Sequence, residues 1–179
     1  DFWKALVEAG FPGIVIPEIY GGGSMGMFEM ILAMETLTSQ GCGLAGTWFL
    51  CLSSVFGGSS IVKHGNENQK ENYLPKIAKG MEFCLALTEP DAGTNTLNTK
   101  TMAVKEGDEY LINGQKMFIS GVDRAKGMVL ITRTTPLEKV PKRTLGLSLF
   151  LVDLPNPAIE IIPIDKHGIN YSKTFEVYI

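Results

Sequence analysis

Hydrophobic residues recur at helical spacing over the first eighty positions of the chain and at every second position after them. The clearest helical stretch carries apolar side chains three and four residues apart, at Met27, Met30, Ile31, Met34 and Leu37. Phe28 and Leu32 widen this stripe, so we expect the helix to be buried on most sides. Gly41 follows the last apolar position, where a glycine commonly ends a helix.

Two further helices are predicted between this one and residue 80. Residues 44–56 are almost wholly apolar, and Gly57-Gly58 is expected to stop the helix that they form. Asn66 with Gln69 three positions later matches a capping box, in which each side chain bonds the other residue's backbone N–H. A helix is therefore expected to start after Asn66.

From residue 82 the apolar positions alternate, and short alternating runs between turn residues predict strands. The eight candidate strands are residues 83–88, 100–105, 109–112, 115–120, 128–133, 147–152, 160–164 and 174–179. Gly107 and the pair Asn113-Gly114 predict tight turns, the latter a two-residue hairpin. The predicted fold class is α+β, with an all-α domain over residues 1–80 followed by an antiparallel β-barrel or sandwich over residues 81–179.

Composition and charge exclude several classes of protein. The 45% hydrophobic and 20% charged content is ordinary for a globular chain, and the net charge of −3 gives no footprint for nucleic acid. The longest apolar run, residues 48–52, is too short to cross a bilayer, so no membrane span is expected. Three cysteines without CxxC spacing predict free thiols in a reducing compartment, neither a disulfide framework nor a zinc site.

The segment after the first predicted strand has the composition of a ligand-binding loop. Residues 85–99 contain no Lys or Arg, so backbone dipoles and hydroxyls would have to hold any anion. The amides near Gly93 and Thr94 could form an anion-binding concavity. Glu89 and Asp91 would repel an anion and must point away or cap backbone groups. The alternative is a structural turn held by Thr and Asp side chains.

The predicted hairpin supplies a second candidate. A two-residue turn at Asn113-Gly114 would pair Leu111 with Lys116 across the two strands. Phe118 and Ser120 would then share the more polar face, together with Lys116 and Glu109. An aromatic ring beside a hydroxyl suits a flat heteroaromatic ligand, with ring contact from one and a hydrogen bond from the other. A partly covered surface aromatic or an interdomain contact is the alternative.

Other chemistry-bearing residues lack a recognisable arrangement. His64 and His167 each precede a glycine, without metal-ligand spacing or a nucleophile–base motif, so we expect them to be structural or exposed. No metal site is predicted. Gly21-Gly22-Gly23 lacks the Lys-Ser/Thr of a phosphate loop and is interpreted as a flexible connection.

Several segments, in order, resemble the acyl-CoA dehydrogenase family. Ala86-Leu87-Thr88-Glu89-Pro90-Asp91-Ala92-Gly93-Thr94 is similar to the family's first signature. Pro17-Glu18-Ile19-Tyr20-Gly21-Gly22 resembles a motif of its N-terminal domain. Tyr110-Leu111-Ile112-Asn113-Gly114-Gln115-Lys116-Met117-Phe118-Ile119-Ser120 is similar to its second flavin segment. The resemblance covers nearly the whole chain.

The resemblance implies bound FAD and assigns residues to it. The implied cofactor-binding residues are Leu85, Leu87, Thr88, Gly93, Thr94, Phe118, Ile119 and Ser120. Leu87 and Thr88 would lie at the isoalloxazine and Ser120 near its N5, while Thr94 would lie near the pyrophosphate and also touch acyl-CoA. Asn95 stands where the family usually has an acid, and Phe118 stands where tryptophan is frequent.

The implied reaction is α,β-dehydrogenation of an acyl-CoA thioester, with electrons passed to an electron-transferring flavoprotein. In the family a C-terminal helical domain supplies the base, and no residue here matches it. We therefore expect a fragment, truncated at both ends, that has no catalytic residue and is inactive alone. A dimer or tetramer and a bacterial cytoplasmic or mitochondrial matrix location are also implied. A same-fold flavin oxidase or monooxygenase and a non-catalytic flavin- or acyl-CoA-binding module are the alternatives.

Overall fold

A computed structural model of the chain describes residues 2–179, which divide into two compact units, one ending at Cys84 and the other starting at Leu85. The first unit is helical. Its five α-helices are α1 (Phe2–Glu8), α2 (Met27–Leu37), α3 (Gly43–Leu50), α4 (Ser60–His64) and α5 (Glu67–Ala78). Short 3₁₀ turns at Phe11–Gly13 and Glu18–Tyr20 lie between α1 and α2.

Helices α2, α3 and α4 follow one another with π-helical turns between them, at Thr38–Cys42 and Cys51–Ser59. Gly41 interrupts the first of these with a φ of 95°, as the sequence predicts. The predicted stop at Gly57-Gly58 is wrong, because both glycines lie inside the second π-helical segment and are buried. A Cβ on Gly57 would lie 2.9 Å from the Phe83 ring. Close packing is therefore the reason for glycine at that position.

The expectation that α2 is buried on most sides is also wrong. Met30 is fully buried, but Phe28 is 68% and Ile31 56% exposed. Ile31 belongs to the predicted stripe and Phe28 widens it, so exposed residues occur in both sets, and within α2 only Met30 is fully buried. Apolar side chains all round a helix therefore did not mean burial all round it.

The helical run from Met27 to His64 covers 38 residues and is apolar enough to cross a membrane by length and composition. Half of its most apolar window is buried inside the protein, and a core helix of a soluble protein meets the same criterion. The expectation of no membrane span was based on unbroken apolar runs in the sequence. It stays a prediction.

The capping box at the start of α5 is confirmed. The Asn66 side chain accepts a hydrogen bond from the Gln69 backbone N–H at 2.9 Å, and the Gln69 side chain accepts from the Asn66 N–H at 2.9 Å. The pair satisfies two amides at the helix start that lack intrahelical partners.

The second unit is built from strands, the first of which begins two residues before that unit, and all eight predicted strands are present. They are β1 (Phe83–Ala86), β2 (Met102–Glu106), β3 (Glu109–Asn113), β4 (Gln115–Ser120), β5 (Gly127–Arg133), β6 (Leu147–Asp153), β7 (Glu160–Pro163) and β8 (Thr174–Tyr178). One sheet has the order β1-β5-β2-β3, with β6 also paired to β5, and the other has the order β4-β8-β7. The α+β class is confirmed. The strands form two sheets, which favours the sandwich over the closed barrel.

The Asn113-Gly114 hairpin is wrong. Strand β3 pairs with β2 across Gly107, whereas β4 pairs with β8, so the chain passes from one sheet to the other at Asn113-Gly114. A Cβ on Gly114 would lie 2.4 Å from Thr101 Oγ1 and 2.7 Å from Thr101 Cα. The glycine therefore allows two backbones to approach closely, and it does not serve a type I′ turn.

Candidate functional site

The loop after β1 turns one carboxylate inward. Glu89 is 6% exposed and accepts hydrogen bonds from the backbone N–H groups of Lys100 at 2.7 Å and Thr101 at 3.0 Å. The Thr101 hydroxyl donates a third bond at 2.6 Å. The expectation that Glu89 caps backbone groups and points away from the loop's outer surface is confirmed.

Lys116 of β4 completes this buried cluster. Its ammonium group lies 2.8 Å from the Glu89 carboxylate and donates to the Leu87 carbonyl at 3.1 Å. The two side chains are 0% and 5% exposed. Lys116 was predicted on the polar face beside Phe118 and Ser120, and that prediction is wrong. The salt bridge connects the loop to the strand that carries those two residues.

Burial and hydrogen bonding act on the pair in different ways. Burial by itself raises the pKa of Glu89, but the hydrogen bonds from Lys116, Thr101 and two amides outweigh burial and hold this pKa below its ordinary value. Burial lowers the pKa of the Lys116 ammonium, and the contact with Glu89 offsets only part of that effect. The Glu89 carboxylate is therefore kept ionised at neutral pH.

A second connection joins the loop to β4, one residue earlier in the loop and one residue later in the strand. The Met117 N–H donates to the Thr88 carbonyl at 2.8 Å, and the Thr88 hydroxyl donates to the Met117 carbonyl. Because its proton is used in this way, the Thr88 hydroxyl can only accept a hydrogen bond from a ligand. The loop and the strand are held in fixed register by these two adjacent pairs of contacts.

Strand β4 contains a β-bulge, and Phe118 lies in it. Lys116 pairs with Val177 and Ile119 with Phe175, so two residues of β4 oppose one residue of β8. Phe118 has a φ of +61° and its side chain is 60% exposed. A bulky residue rarely adopts this left-handed conformation, which costs of order 1–3 kcal/mol and occurs most often at functional sites. The bulge directs an aromatic ring to the surface.

The bulge also decides which β4 side chains are available. Ile119 is 1% exposed and lies in the core, whereas its neighbours Phe118 and Ser120 lie on the opposite side of the strand. Ile119 can therefore offer a ligand only its backbone, and ring contact by its side chain is not what the structure provides. Leu85 and Leu87 are half-buried.

Ser120 belongs to a chain of polar contacts that the sequence did not reveal. Its hydroxyl lies 3.3 Å from the Thr174 hydroxyl on β8. The Lys166 ammonium donates to that Thr174 oxygen at 2.9 Å and also to the Ser172 carbonyl. Thr174 and Ser172 are buried, at 8% and 2% exposed. A cation is thus linked to Ser120 through one hydroxyl.

The tip of the loop is open. Gly93, Thr94 and Asn95 are exposed, and a Cβ on Gly93 would meet nothing within 4 Å. Their three backbone N–H groups have no acceptor among residues 2–179, so they are free to bind an anion. Asn95 does have a partner, because its side-chain oxygen accepts from the Arg143 guanidinium at 3.1 Å. Arg143 therefore pairs with the residue that stands where the family usually has an acid.

The remaining candidates are the histidines and the cysteines. No group of three or more His, Cys, Asp or Glu suited to a metal occurs in residues 2–179, which include His64 and His167. Burial raises the pKa of the Cys84 thiol to about 12, so that thiol is unreactive at neutral pH. The residues that sequence reasoning missed are Thr101, Arg143, Lys166 and Thr174, along with the inward direction of Lys116.

Comparison with known proteins identifies the family of the chain. The family model for the acyl-CoA dehydrogenase N-terminal domain matches residues 1–81, and the model for the middle domain matches residues 84–179. The chain belongs to the acyl-CoA dehydrogenase family. The acyl-CoA dehydrogenase FadE12 of Mycobacterium tuberculosis is 34% identical over all of this chain and 45% of its own length. The chain thus spans about half the length of the curated relatives it matches.

Solved structures with the same fold include a dehydrogenase and an oxidase. A glutaryl-CoA dehydrogenase of Mycobacterium smegmatis in complex with FADH2 gives a TM-score of 0.84 at 26% identity, over 98% of this chain and 43% of that one. The prolyl acyl carrier protein oxidase AnaB gives 0.89 at 28% identity, over 99% of this chain and 46% of that one. The acyl-CoA dehydrogenase fold therefore occurs with both dehydrogenase and oxidase chemistry.

Proposed function

We propose that this chain is the flavin- and thioester-holding part of an FAD-dependent acyl-CoA dehydrogenase. One observation carries the proposal. Phe118 is held in a left-handed conformation at a bulge, with its ring exposed, next to a loop that is fixed to the same strand by the Glu89–Lys116 and Thr88–Met117 contacts. Strain of this kind persists only where surrounding structure enforces it, and pre-organisation of a ligand site is its usual purpose.

The described residues fit FAD in three respects. The Phe118 ring offers a flat apolar surface, and Ser120 offers a hydroxyl on the same side of β4. The open amides of residues 93–95 offer donors to an anion such as a pyrophosphate, and the nearby acid Glu89 is turned inward where it cannot repel one. Asp91 is neutralised by Lys100 at 2.7 Å. Thr94, at the open tip, is proposed to contact the acyl-CoA as well as the cofactor.

Bound FAD would supply the hydride acceptor for oxidation of the acyl thioester. The chain's own residues would hold and orient it: Leu85, Leu87 and Thr88 beside the ring system, Gly93 and Thr94 at the phosphates, and Phe118 and Ser120 from β4, with Ile119 contributing backbone only. We assign no catalytic base within residues 2–179. The family resemblance supports electron transfer to an electron-transferring flavoprotein, a dimer or tetramer, and a cytoplasmic or mitochondrial matrix location.

A flavin oxidase built on the same fold is the second candidate, because AnaB is an oxidase with a TM-score of 0.89 to this chain. The two reactions differ in what reoxidises the reduced cofactor. Reduction by substrate without air, followed by admission of oxygen, separates them: rapid reoxidation indicates an oxidase, and slow reoxidation indicates a dehydrogenase that needs a protein acceptor.

The proposal predicts that the protein, expressed at its full natural length, takes up FAD. Phe118→Ala should weaken flavin retention because ring contact is lost. Ser120→Ala should retain flavin but alter its reduction, through loss of a hydrogen bond worth about 0.5–1.5 kcal/mol. Absorbance and fluorescence titration with FAD measure both effects. A protein that stays colourless with excess FAD, or two variants that behave like the parent, would contradict the proposal.

Residues 1–179 by themselves should not oxidise acyl-CoA at an enzymatic rate. Without a positioned base the reaction loses a factor of about 10²–10⁴ from proton transfer alone. Anaerobic mixing of this chain with FAD and a panel of acyl-CoAs, followed by flavin bleaching, measures the rate. Bleaching as fast as that of the full natural length would show that a base does lie among these residues.

A further inference from the structure

The contacts behind Ser120 point to a role for Lys166 that the proposed site does not assign. Lys166 carries an ammonium group, which has three donors and no acceptor. It must therefore donate to the Thr174 oxygen that lies 2.9 Å away. That lone pair of Thr174 is then occupied, while the Thr174 hydroxyl still has its own proton to donate.

The hydrogen bond between Thr174 and Ser120 has no fixed donor by itself. The Ser120 and Thr174 oxygens are 3.3 Å apart, and either hydroxyl could donate to the other. Hydrogen bonds in a chain polarise one another, so a charged donor to Thr174 strengthens that hydroxyl as a donor to its neighbour. Thr174 is 8% exposed, which limits competition from water. Lys166 therefore favours the arrangement in which Thr174 donates and Ser120 accepts.

We propose that Lys166, acting through Thr174, is a positioning residue that holds the Ser120 hydroxyl with its proton directed outward, as a donor to the flavin. This inference rests on the proposed function, since it assumes that FAD contacts Ser120. It adds a defined direction to the Ser120 hydrogen bond. It also attributes that direction to Lys166 and Thr174, which lie outside the flavin-contacting segments identified from the sequence.

The hydrogen bonds that run from Lys166 through Thr174 to Ser120 form a relay. This relay should shift the equilibrium between oxidised and reduced flavin in one direction. The flavin N5 atom can accept a hydrogen bond when oxidised, whereas it carries a proton when reduced. A Ser120 hydroxyl fixed as a donor therefore stabilises the oxidised form more. Loss of the relay frees the hydroxyl to turn and accept, which favours the reduced form. Removal of a nearby positive charge acts in the opposite direction, because the cation stabilises the electron-rich reduced flavin.

The test is the flavin midpoint potential of the FAD-loaded protein at its full natural length, measured for Lys166→Met and Thr174→Val. Thr174→Val breaks the relay without a change of charge, and we expect it to shift the equilibrium toward reduced flavin by threefold or more, which is about 14 mV for a two-electron couple. Lys166→Met also removes a positive charge, so its shift is compared with that of the same change in Ser120→Ala protein. Lys166→Arg and Thr174→Ser keep the donors and should return the potential to within that margin of the parent. Lys173→Met, at an exposed neighbouring lysine, is the matched control for charge and should not shift the potential in this direction.

The Ser120→Ala background separates the effect of the relay from the effect of the Lys166 charge. In Ser120→Ala protein the relay has no end point, so Lys166→Met should produce no further shift toward reduced flavin. An equal shift for Lys166→Met in both backgrounds, or a shift toward oxidised flavin for Thr174→Val, would overturn the proposal while leaving FAD binding intact. A parent protein that takes up no FAD would overturn both this inference and the proposed function. Circular dichroism and the FAD dissociation constant of each variant identify any that fails to fold.

Discussion

Two carboxylate–lysine ion pairs connect the loop after β1 to its surroundings, and one is buried whereas the other is exposed. The Glu89–Lys116 pair spans 2.8 Å and is almost completely buried, with side chains 5% and 0% exposed. The Asp91–Lys100 pair spans 2.7 Å, and both of its side chains are 67% exposed. Distance alone would rank the two pairs as equal, whereas their burial differs more than tenfold.

The difference shows that burial, and not contact distance, decides what each pair does. A buried charge that loses its partner keeps the full penalty of desolvation, whereas an exposed charge regains water. Glu89 also satisfies the amides of Lys100 and Thr101, so its removal would disturb the loop backbone itself. We infer that Glu89–Lys116 sets the position of the loop against β4, while Asp91–Lys100 neutralises charge at the loop's outer surface.

The largest effect is expected from Glu89→Gln. This change keeps the shape of the side chain but leaves the Lys116 ammonium buried without an opposite charge. We expect the free energy of unfolding to fall by about 3–5 kcal/mol, measured by urea denaturation at pH 7. The side-chain amide introduced by the substitution can accept through one oxygen only, so the loss combines the unpaired charge with at least one donor that no longer has an acceptor. A loss as small as that of the matched Asp91→Asn variant would show that burial does not distinguish the pairs.

An intermediate effect is expected on acidification. The pKa of folded Glu89 lies below the ordinary value of 4.5, so the folded state binds this proton less readily than the unfolded state does. The stabilisation is therefore fully present above the ordinary pKa and is lost as pH falls through the folded pKa. The difference in unfolding free energy between the parent and Glu89→Gln should narrow in this window. A difference that stays constant from pH 7 to pH 3 would contradict the ionised buried pair.

The smallest effect is expected from the exposed pair. Asp91→Asn and Lys100→Met should each leave the urea midpoint within experimental error of the parent, because solvent and salt screen the charges. Asp91→Asn should also leave FAD retention unchanged or slightly improved, since one negative charge near the loop tip is removed. A clear loss of flavin in this variant would mean that Asp91 positions the loop as Glu89 does.

Much of the fold was predictable because it depends on local patterns. Alternation located all eight strands, and the capping box at Asn66 located the start of α5. The prediction failed where a glycine has a packing role. Gly57 and Gly114 resemble a helix stop and a hairpin turn in sequence, but each makes room for a close neighbour, Phe83 in one case and Thr101 in the other. Local sequence does not record a neighbour that is distant along the chain.

The features of the candidate site also divide into those that the sequence predicts and those that only the tertiary structure shows. The sequence by itself determined the family, the strand that carries Phe118 and Ser120, and the need for Glu89 to turn away from the loop surface. The tertiary structure decided that Lys116 lies in the core, that Ile119 is unavailable to a ligand, and that Thr174 and Lys166 stand behind Ser120. For the β4 side chains the physical reason is the β-bulge: one extra residue shifts the alternation so that Lys116 and Ile119 are both buried, and only the pairing with β8 shows where that residue is inserted. Thr174 and Lys166 are distant from Ser120 along the chain, so local sequence does not record their contact.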